Sequence, residues 1–303
     1  MIEDRSRMSS GACWLTTHIR SRFGFRCLLF VAIILVLAGC FHGYHSIDSL
    51  PPGIDFCKLL PQDFDSSKVA NGSWWQYICL FERYMDQPLE HECIDTRMMG
   101  NWRVCFDENT APRKSCLVYS FGIANDFSFD DAMEAAGCTV YSFDPSMGVE
   151  DHRHGVNVYF KNLGLGNKDM DNFSPRSDEY VPYSQKWKIR TLKSILIMLG
   201  HEKHFIDVLK FDVEGYEWEI IMNIMKDGLL PQIGQILTEW HIFPDLPPRE
   251  SLHTSFNTVT GLKNNGLKLF YKKPFYRVHR NRFFNSQCDT CYVNTASDRN
   301  KFQ

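Results

Sequence analysis

The stretch Phe205–Ile221, FIDVLKFDVEGYEWEII, decides the fold. Five apolar side chains stand among its first seven residues, the near-continuous pattern of a strand covered by helices on both faces. Asp212 and Glu214 fall where such a strand ends and Gly215 permits a sharp turn. Ile220, Ile221, Ile224 and Met225 then share one stripe of a helix over Glu217–Lys226. A strand, an acidic turn and a helix in that order make one unit of an open α/β sheet. Ligands bind such sheets outside the carboxyl ends of the strands, so Asp212 and Glu214 are candidates for chemistry. The plain competitor is that both carboxylates merely begin a helix, where the macrodipole favours them.

Similar units lie on either side. CLVYSF (116–121) reads as a strand, Gly122 allows close backbone approach, and Ser128 is placed to cap a helix through Ala136 that Gly137 ends. CTVYSF (138–143) follows at once and finishes at Asp144, 22 residues after Gly122. A glycine at the first strand's end admits a nucleoside, and an acid at the next strand's end reaches its ribose hydroxyls. The segment SFGIAND (120–126) has one glycine where a full Gly-x-Gly-x-x-Gly has three, so an adenosine ligand without phosphates fits better than a dinucleotide. A third strand is expected over Val156–Phe160, closed by Gly164-Leu-Gly166, then a long polar loop from Asn167 to Arg190 that carries Tyr180, Tyr183 and Trp187. A helix over Thr191–Leu199 leads into the central strand. A fifth strand, about Ile233–Trp240, brings Glu239 and His241 to its end; a helix over Ser251–Asn264 and closing strands at Leu267–Tyr271 and Cys291–Asn294 complete the pattern.

The 303 residues, 44% hydrophobic and 14% aromatic, are ample for a globular core, and a net charge of -3 gives no electrostatic footprint for nucleic acid. Five arginines precede the apolar run Cys27–Phe41, and no lysine or arginine follows until Lys58. That asymmetry predicts a cytosolic tail (1–26), a signal anchor across the membrane (27–41) and a single-pass type II protein. A helix of that run spans only about 22 Å, short for a plasma-membrane anchor; counted from Phe23, with Arg26 reaching back to the interface, it has 19 residues, which suits the thinner membranes of the endoplasmic reticulum and Golgi. Cleavage before Phe41 is the rival and would give a secreted protein. Beyond it come a stalk (42–62), a helical cap (63–113) with Trp74, Ile78, Phe81 and Met85 at helical spacing, and the main domain (114–303). Eight of the eleven cysteines lie beyond the anchor and read as a disulfide framework of open connectivity; Asn71 and Asn172 sit in glycosylation sequons. Zinc at Cys288 and Cys291 lacks a second Cys-x-x-C partner.

Taken together, five βα units, an adenosine-type first turn and a two-strand finish resemble a class I S-adenosylmethionine-dependent methyltransferase. VLKFDVEGYEWEII resembles the FkbM-type signature. CLVYSFGIANDFSFDDAMEAAGCTVYSFDPS and WKIRTLKSILIMLGH resemble animal methyltransferase-like proteins of the secretory pathway, the methyltransferase-like protein 24 group. The resemblance implies a doubly wound, mostly parallel seven-stranded Rossmann-like sheet, with S-adenosylmethionine as cofactor. It aligns Phe121, Gly122 and Asn125 with the methionine-side turn, Asp144 with the ribose acid, and Asp212 and Glu214 with the element beside the transferred methyl.

A hydroxyl acceptor, on a glycan or other small molecule, needs a base as the methyl moves, and His241 has a suitable ordinary pKa. Glu239 is placed to orient it or, with Asp212 and His241, to hold a divalent cation. The competing reading makes Glu239 and His241 structural loop residues. No Asn-Pro-Pro-aromatic element follows the fourth strand, which argues against nucleobase amines as acceptors. Two other classes stay open: a lumenal glycosyltransferase using Asp169-Met-Asp171 or Asp212-Val-Glu214 with manganese, and a methyltransferase fold that binds without turning over.

Overall fold

The computed structural model describes residues 56–63, 72–178, 180–243, 245–275 and 287–302, all within one compact unit that begins at Asp55. Its strands are β1 (Thr96–Met99), β2 (Trp102–Cys105), β3 (Leu117–Phe121), β4 (Thr139–Phe143), β5 (His152–Arg153), β6 (Val158–Lys161), β7 (Gly164–Leu165), β8 (Met170–Phe173), β9 (Trp187–Arg190), β10 (Ile206–Phe211), β11 (Ile233–His241), β12 (Leu267–Phe275) and β13 (Gln287–Asn294). Its helices are α1 (Trp74–Asp86), α2 (Ser128–Ala135), α3 (Leu192–Leu199), α4 (Glu217–Lys226) and α5 (Leu252–Asn264).

The main sheet runs β12-β13-β11-β10-β3-β4-β6-β5. β6, β4, β3, β10 and β11 are parallel, and β13 enters antiparallel between β11 and β12. The expected seven strands are therefore present, and the count is corrected to eight by the two-residue antiparallel edge β5. β3 and β10 are buried at every residue, as near-continuous apolar runs demand when both faces are covered. The stretch expected as a polar loop before α3 instead forms a separate sheet of order β7-β9-β8. Its strands are short and rich in polar residues, so no alternation marks them.

One core layer gathers Phe81, Trp218, Trp240, Leu209 and Tyr292; the opposite layer gathers Phe129, Met133, Val104, Val208 and Leu237. The hairpin β1–β2 docks on β11 through Gln235, whose side chain accepts from Cys105 N at 3.0 Å and donates to Cys105 O at 2.7 Å. A buried amide is stable there because both of its halves are paired. Disulfides join Cys57–Cys79, Cys93–Cys105 and Cys116–Cys138. Cys288 and Cys291 are free and buried, so the framework holds six of the expected eight. The two pack into opposite core layers, as an odd separation along a strand requires.

No helix among the described residues is long and apolar enough to cross a membrane. This corrects the expected type II placement in the endoplasmic reticulum or Golgi membrane, and with it the expected membrane contact. The run Cys27–Phe41 on which both rested lies outside the described residues, as does Asn71.

Asp130 of α2 ties the helix to the sheet. It is fully buried, and it accepts from Ser142 of β4 and, at 3.4 Å, from Ser120 of β3. Burial pushes its carboxyl up to about 6, against the pull of the Ser142 hydrogen bond and the Lys210 charge. The folded state thus binds this proton more tightly than the unfolded chain, whose aspartates titrate near 3.9. Its contribution is full below about pH 4 and is lost as pH rises through about 6, a swing of about 3 kcal/mol. Asp130→Asn, which cannot ionise, should gain about that much relative to the wild type between pH 4 and pH 7 in urea unfolding. A gap between the two proteins that does not change with pH would refute the assignment.

Candidate active site

The carboxyl ends of β3, β4, β10 and β11 meet at one edge of the sheet, and the turns that follow them build the site. After β3 the chain enters the left-handed region three times, at Gly122 (φ 70), Ala124 (φ 46) and Asn125 (φ 65). Gly122 is required there: a Cβ on it would lie 1.7 Å from the Asp212 carbonyl oxygen. The two turns are that close because Asp212 N donates to Phe121 O at 3.2 Å, and Gly122 N donates to Phe143 O at 2.9 Å to tie the first turn to β4 as well. Lys210, nearly buried on β10, donates to the carbonyls of Phe121 (3.1 Å) and Gly122 (2.6 Å), so the first turn is gripped from beneath. Asp144 lies at the end of β4. Its Oδ2 accepts from Ala124 N at 2.8 Å and its Oδ1 from Ser146 N at 2.8 Å and Ser146 Oγ at 2.6 Å. A carboxylate has room for about four hydrogen bonds, so one position on Asp144 stays open.

These turns line a cavity of about 310 Å³. Phe121, Gly122, Phe143 and Asp144 form one wall, Phe173, Trp187 and Tyr216 another, and Asp212 and Glu214 face into it. Phe121 and Phe143 stack with ring centroids 4.3 Å apart. Asn125 is exposed and does not line the cavity; its place in the first turn is a backbone one. Glu239 and His241 do not line it either.

Behind Asp212 and Glu214 lies a cluster of carboxylates around one imidazole. Glu217, the first residue of α4, is fully buried and accepts from Val213 N at 3.0 Å and Gly215 N at 3.1 Å. Those bonds hold Glu214 (φ 54) and Gly215 (φ 101) in the left-handed turn that lets the chain reverse. Glu217 also pairs with His241 Nδ1 at 3.0 Å, while Trp218 Nε1 donates to His241 O at 2.7 Å. His241 Nε2 faces Glu239 at 3.6 Å, Glu214 at 3.7 Å and Asp212 at 3.9 Å. None of these is a hydrogen bond, and both His241 Nε2 and Asp212 Oδ1 are buried without one.

The charges distort one another. Burial alone would lower the His241 pKa, but the charge and hydrogen bond of Glu217, then Asp212 and Glu214, outweigh it and raise the imidazole to about 10. Burial pushes Glu214 up to about 7 and Glu239 up to about 8, each against the pull of His241. Burial likewise raises Asp212, opposed by His241 and Lys210. His241 is enclosed and does not line the cavity, so an acceptor placed there does not meet it as the free base expected of it. The cation set expected at Asp212, Glu239 and His241 is brought together, and Glu217, which sequence reasoning passed over, stands with it: Asp212, Glu217 and His241 each offer an atom within 4.8 Å of the others. A signal for Glu217 existed, since it occupies the buried stripe of α4 with Ile220, Ile221 and Ile224.

The Asp169-Met-Asp171 alternative dissolves. Asp169 accepts from Thr191 N at 2.9 Å and Ser194 Oγ at 2.7 Å at the start of α3, and Asp171 is paired with Arg190. Both acids serve local structure.

A mostly parallel sheet with a ligand cavity at the carboxyl ends of its first strands belongs with nucleoside-binding α/β enzymes. The chain is a member of the family described as Methyltransferase domain, whose model matches residues 85–293. Over 211 residues it is 31% identical to the probable methyltransferase-like protein 24 of Rattus norvegicus, and equally to that of Homo sapiens, covering 64% of this chain and 56% of each relative. The chain thus spans little more than half the length of these curated relatives. Among solved structures, M. capricolum TrmK in complex with S-adenosyl-homocysteine overlays 61% of this chain and 65% of its own, at 9% identity and a TM-score of 0.32. The 16S rRNA (adenine(1408)-N(1))-methyltransferase of Catenulisporales acidiphilia overlays 70% of this chain and 99% of its own, at 11% identity and a TM-score of 0.29. Overlays this loose carry no argument. The matches concern the methyltransferase family and do not reach the FkbM type.

Gly122→Ala tests the contact on which the site stands. Left-handed strain and a clash with backbone that cannot swing away should cost about 3 kcal/mol or more in urea unfolding. A loss below about 1 kcal/mol would mean that the two turns are not packed as described.

Proposed function

We propose that the chain is an S-adenosylmethionine-dependent O-methyltransferase acting on a sugar or other small hydroxylated acceptor. The observation that carries the reading is the cavity itself. Phe121, Gly122, Asp144, Asp212 and Glu214 all line a space sized for a nucleoside with a short side chain.

The residues present fit such a cofactor. Asp144 keeps an acceptor position for ribose hydroxyls, the Phe121 and Phe143 rings offer an apolar wall, and the single glycine of the first turn leaves no cradle for phosphates. When bound, S-adenosylmethionine supplies an electrophilic methyl on a positively charged sulfur. Asp212 and Glu214 favour that positive charge, and they are the members of the acidic cluster that an acceptor in the cavity meets. Proton removal from the acceptor hydroxyl therefore falls to them. His241 stands behind them, its Nδ1 held by Glu217.

Calorimetric titration with S-adenosylhomocysteine tests the reading. One equivalent should bind, and Asp144→Asn should weaken it by about 1 to 3 kcal/mol, the cost of losing a charged hydrogen-bond partner. No binding by the wild type would sink the proposal. Binding without turnover on any hydroxylated acceptor would turn it into a fold that binds and does not transfer.

A further inference from the structure

We propose that Asp212, Glu214, Glu239 and His241 Nε2 form a binding site for one divalent cation of the manganese class, with Glu217 fixing the imidazole from the other side. The spacing is the first argument. His241 Nε2 lies 3.6 Å from Glu239 Oε1, 3.7 Å from Glu214 Oε2 and 3.9 Å from Asp212 Oδ1. These separations are too long for hydrogen bonds. They are within a few tenths of an ångström of donors sharing one ion: ligands about 2.1 Å from a first-row cation stand about 3.4 Å apart in a tetrahedral set, so a small closure brings these groups onto a common centre.

The second argument is independent of the acids. His241 is fully buried, and its Nε2 is aimed among the carboxylates with no hydrogen-bond partner. Asp212 Oδ1, facing it, is also without one. Two orphaned polar atoms pointing at the same small volume are costly unless something occupies it. Glu217 supplies the remaining feature of a metal-bound histidine. Its carboxylate holds Nδ1 at 3.0 Å and is itself held by Val213 N and Gly215 N, so the ring is oriented with Nε2 forward. Three carboxylates and one imidazole, with no thiolate, suit a hard or borderline divalent ion over a soft one.

The site would sit at the cavity wall, since Asp212 and Glu214 belong to both. A cation there would hold and acidify an acceptor hydroxyl. That use rests on the methyl-transfer reading; the binding site does not.

Manganese titration of the full chain, followed by loss of the electron paramagnetic resonance signal of free Mn²⁺, is the test. One equivalent should bind. Asp212→Asn and Glu239→Gln should each weaken it at least ten-fold, and Glu217→Gln, which leaves every ligand in place, by about 10- to 100-fold. The exposed Glu108→Gln should bind as the wild type does. Thermal unfolding guards against misfolded variants: Mn²⁺ should raise the melting temperature of the wild type and not that of Asp212→Asn. Absence of a stoichiometric site, or affinity indifferent to Asp212→Asn and Glu239→Gln, overturns the proposal and leaves a buried ion-pair network. S-adenosylhomocysteine titrated against the same proteins separates the two readings. Its binding without manganese binding removes only the cation site, and manganese binding without it removes only the methyl-transfer reading.

Discussion

Everything at the working edge of this sheet depends on the burial of one carboxylate. Glu217 enters the first turn of α4 with no exposure to solvent, where an unpaired charge would cost several kcal/mol. It is stable because its oxygens take two backbone N–H groups of the turn before it and the imidazole of the strand beside it. It also lies at a helix N-terminus, whose partial positive charge favours it. One side chain thereby sets the left-handed turn at Glu214 and Gly215, the aim of Asp212 and Glu214 into the cavity, and the orientation of His241. The Gly122 contact then fixes the neighbouring turn against the same backbone, so the wall that carries Asp144 and the wall that carries Asp212 are registered to each other.

Much of this was legible in the residues. Long apolar runs at 117–121, 139–143 and 206–211 mark strands covered on both faces, and Gly137 and Gly200 end the helices where expected. Asp144, Asp212 and Glu214 could be named because they fall at the carboxyl ends of strands, where open α/β sheets bind ligands. What escaped notice had weak local signals. The hairpin β1–β2 turns at Gly100 within strands of four residues, too short for a periodicity to register. MDNF of β8 has almost no strand propensity and forms because β9 is there to pair with it.

The functional residues divide in the same way. Gly122 was read as room for a ligand, whereas its first constraint is the Asp212 carbonyl, a contact between segments 90 residues apart that no local pattern reveals. Lys210 stands within an apolar run and clamps the first turn from a strand that no local pattern connects to it. His241 illustrates the limit most clearly. Its chemistry in isolation suggests a base, but a residue's protonation is set by what surrounds it, and four carboxylates come from two separate segments of chain.

Those four carboxyl groups are joined by Asp289, which is paired in register with Glu239 and raised by burial to about 6, so more acids are gathered here than structure alone requires. An apolar filling of the same volume would be as stable or more so, since desolvating charges costs as much as their attraction returns. The cluster is also not spread evenly. Glu217 is completely satisfied and faces inward, while Asp212, Glu214 and Glu239 converge on one unbonded nitrogen and two of them open on the cavity. A satisfied inner acid behind an unbonded Asp212 Oδ1 and an unbonded His241 Nε2 is the arrangement expected when those two atoms are kept for something that arrives from solution. The stability withheld at this edge of the sheet is thus concentrated where a positively charged ligand would restore it.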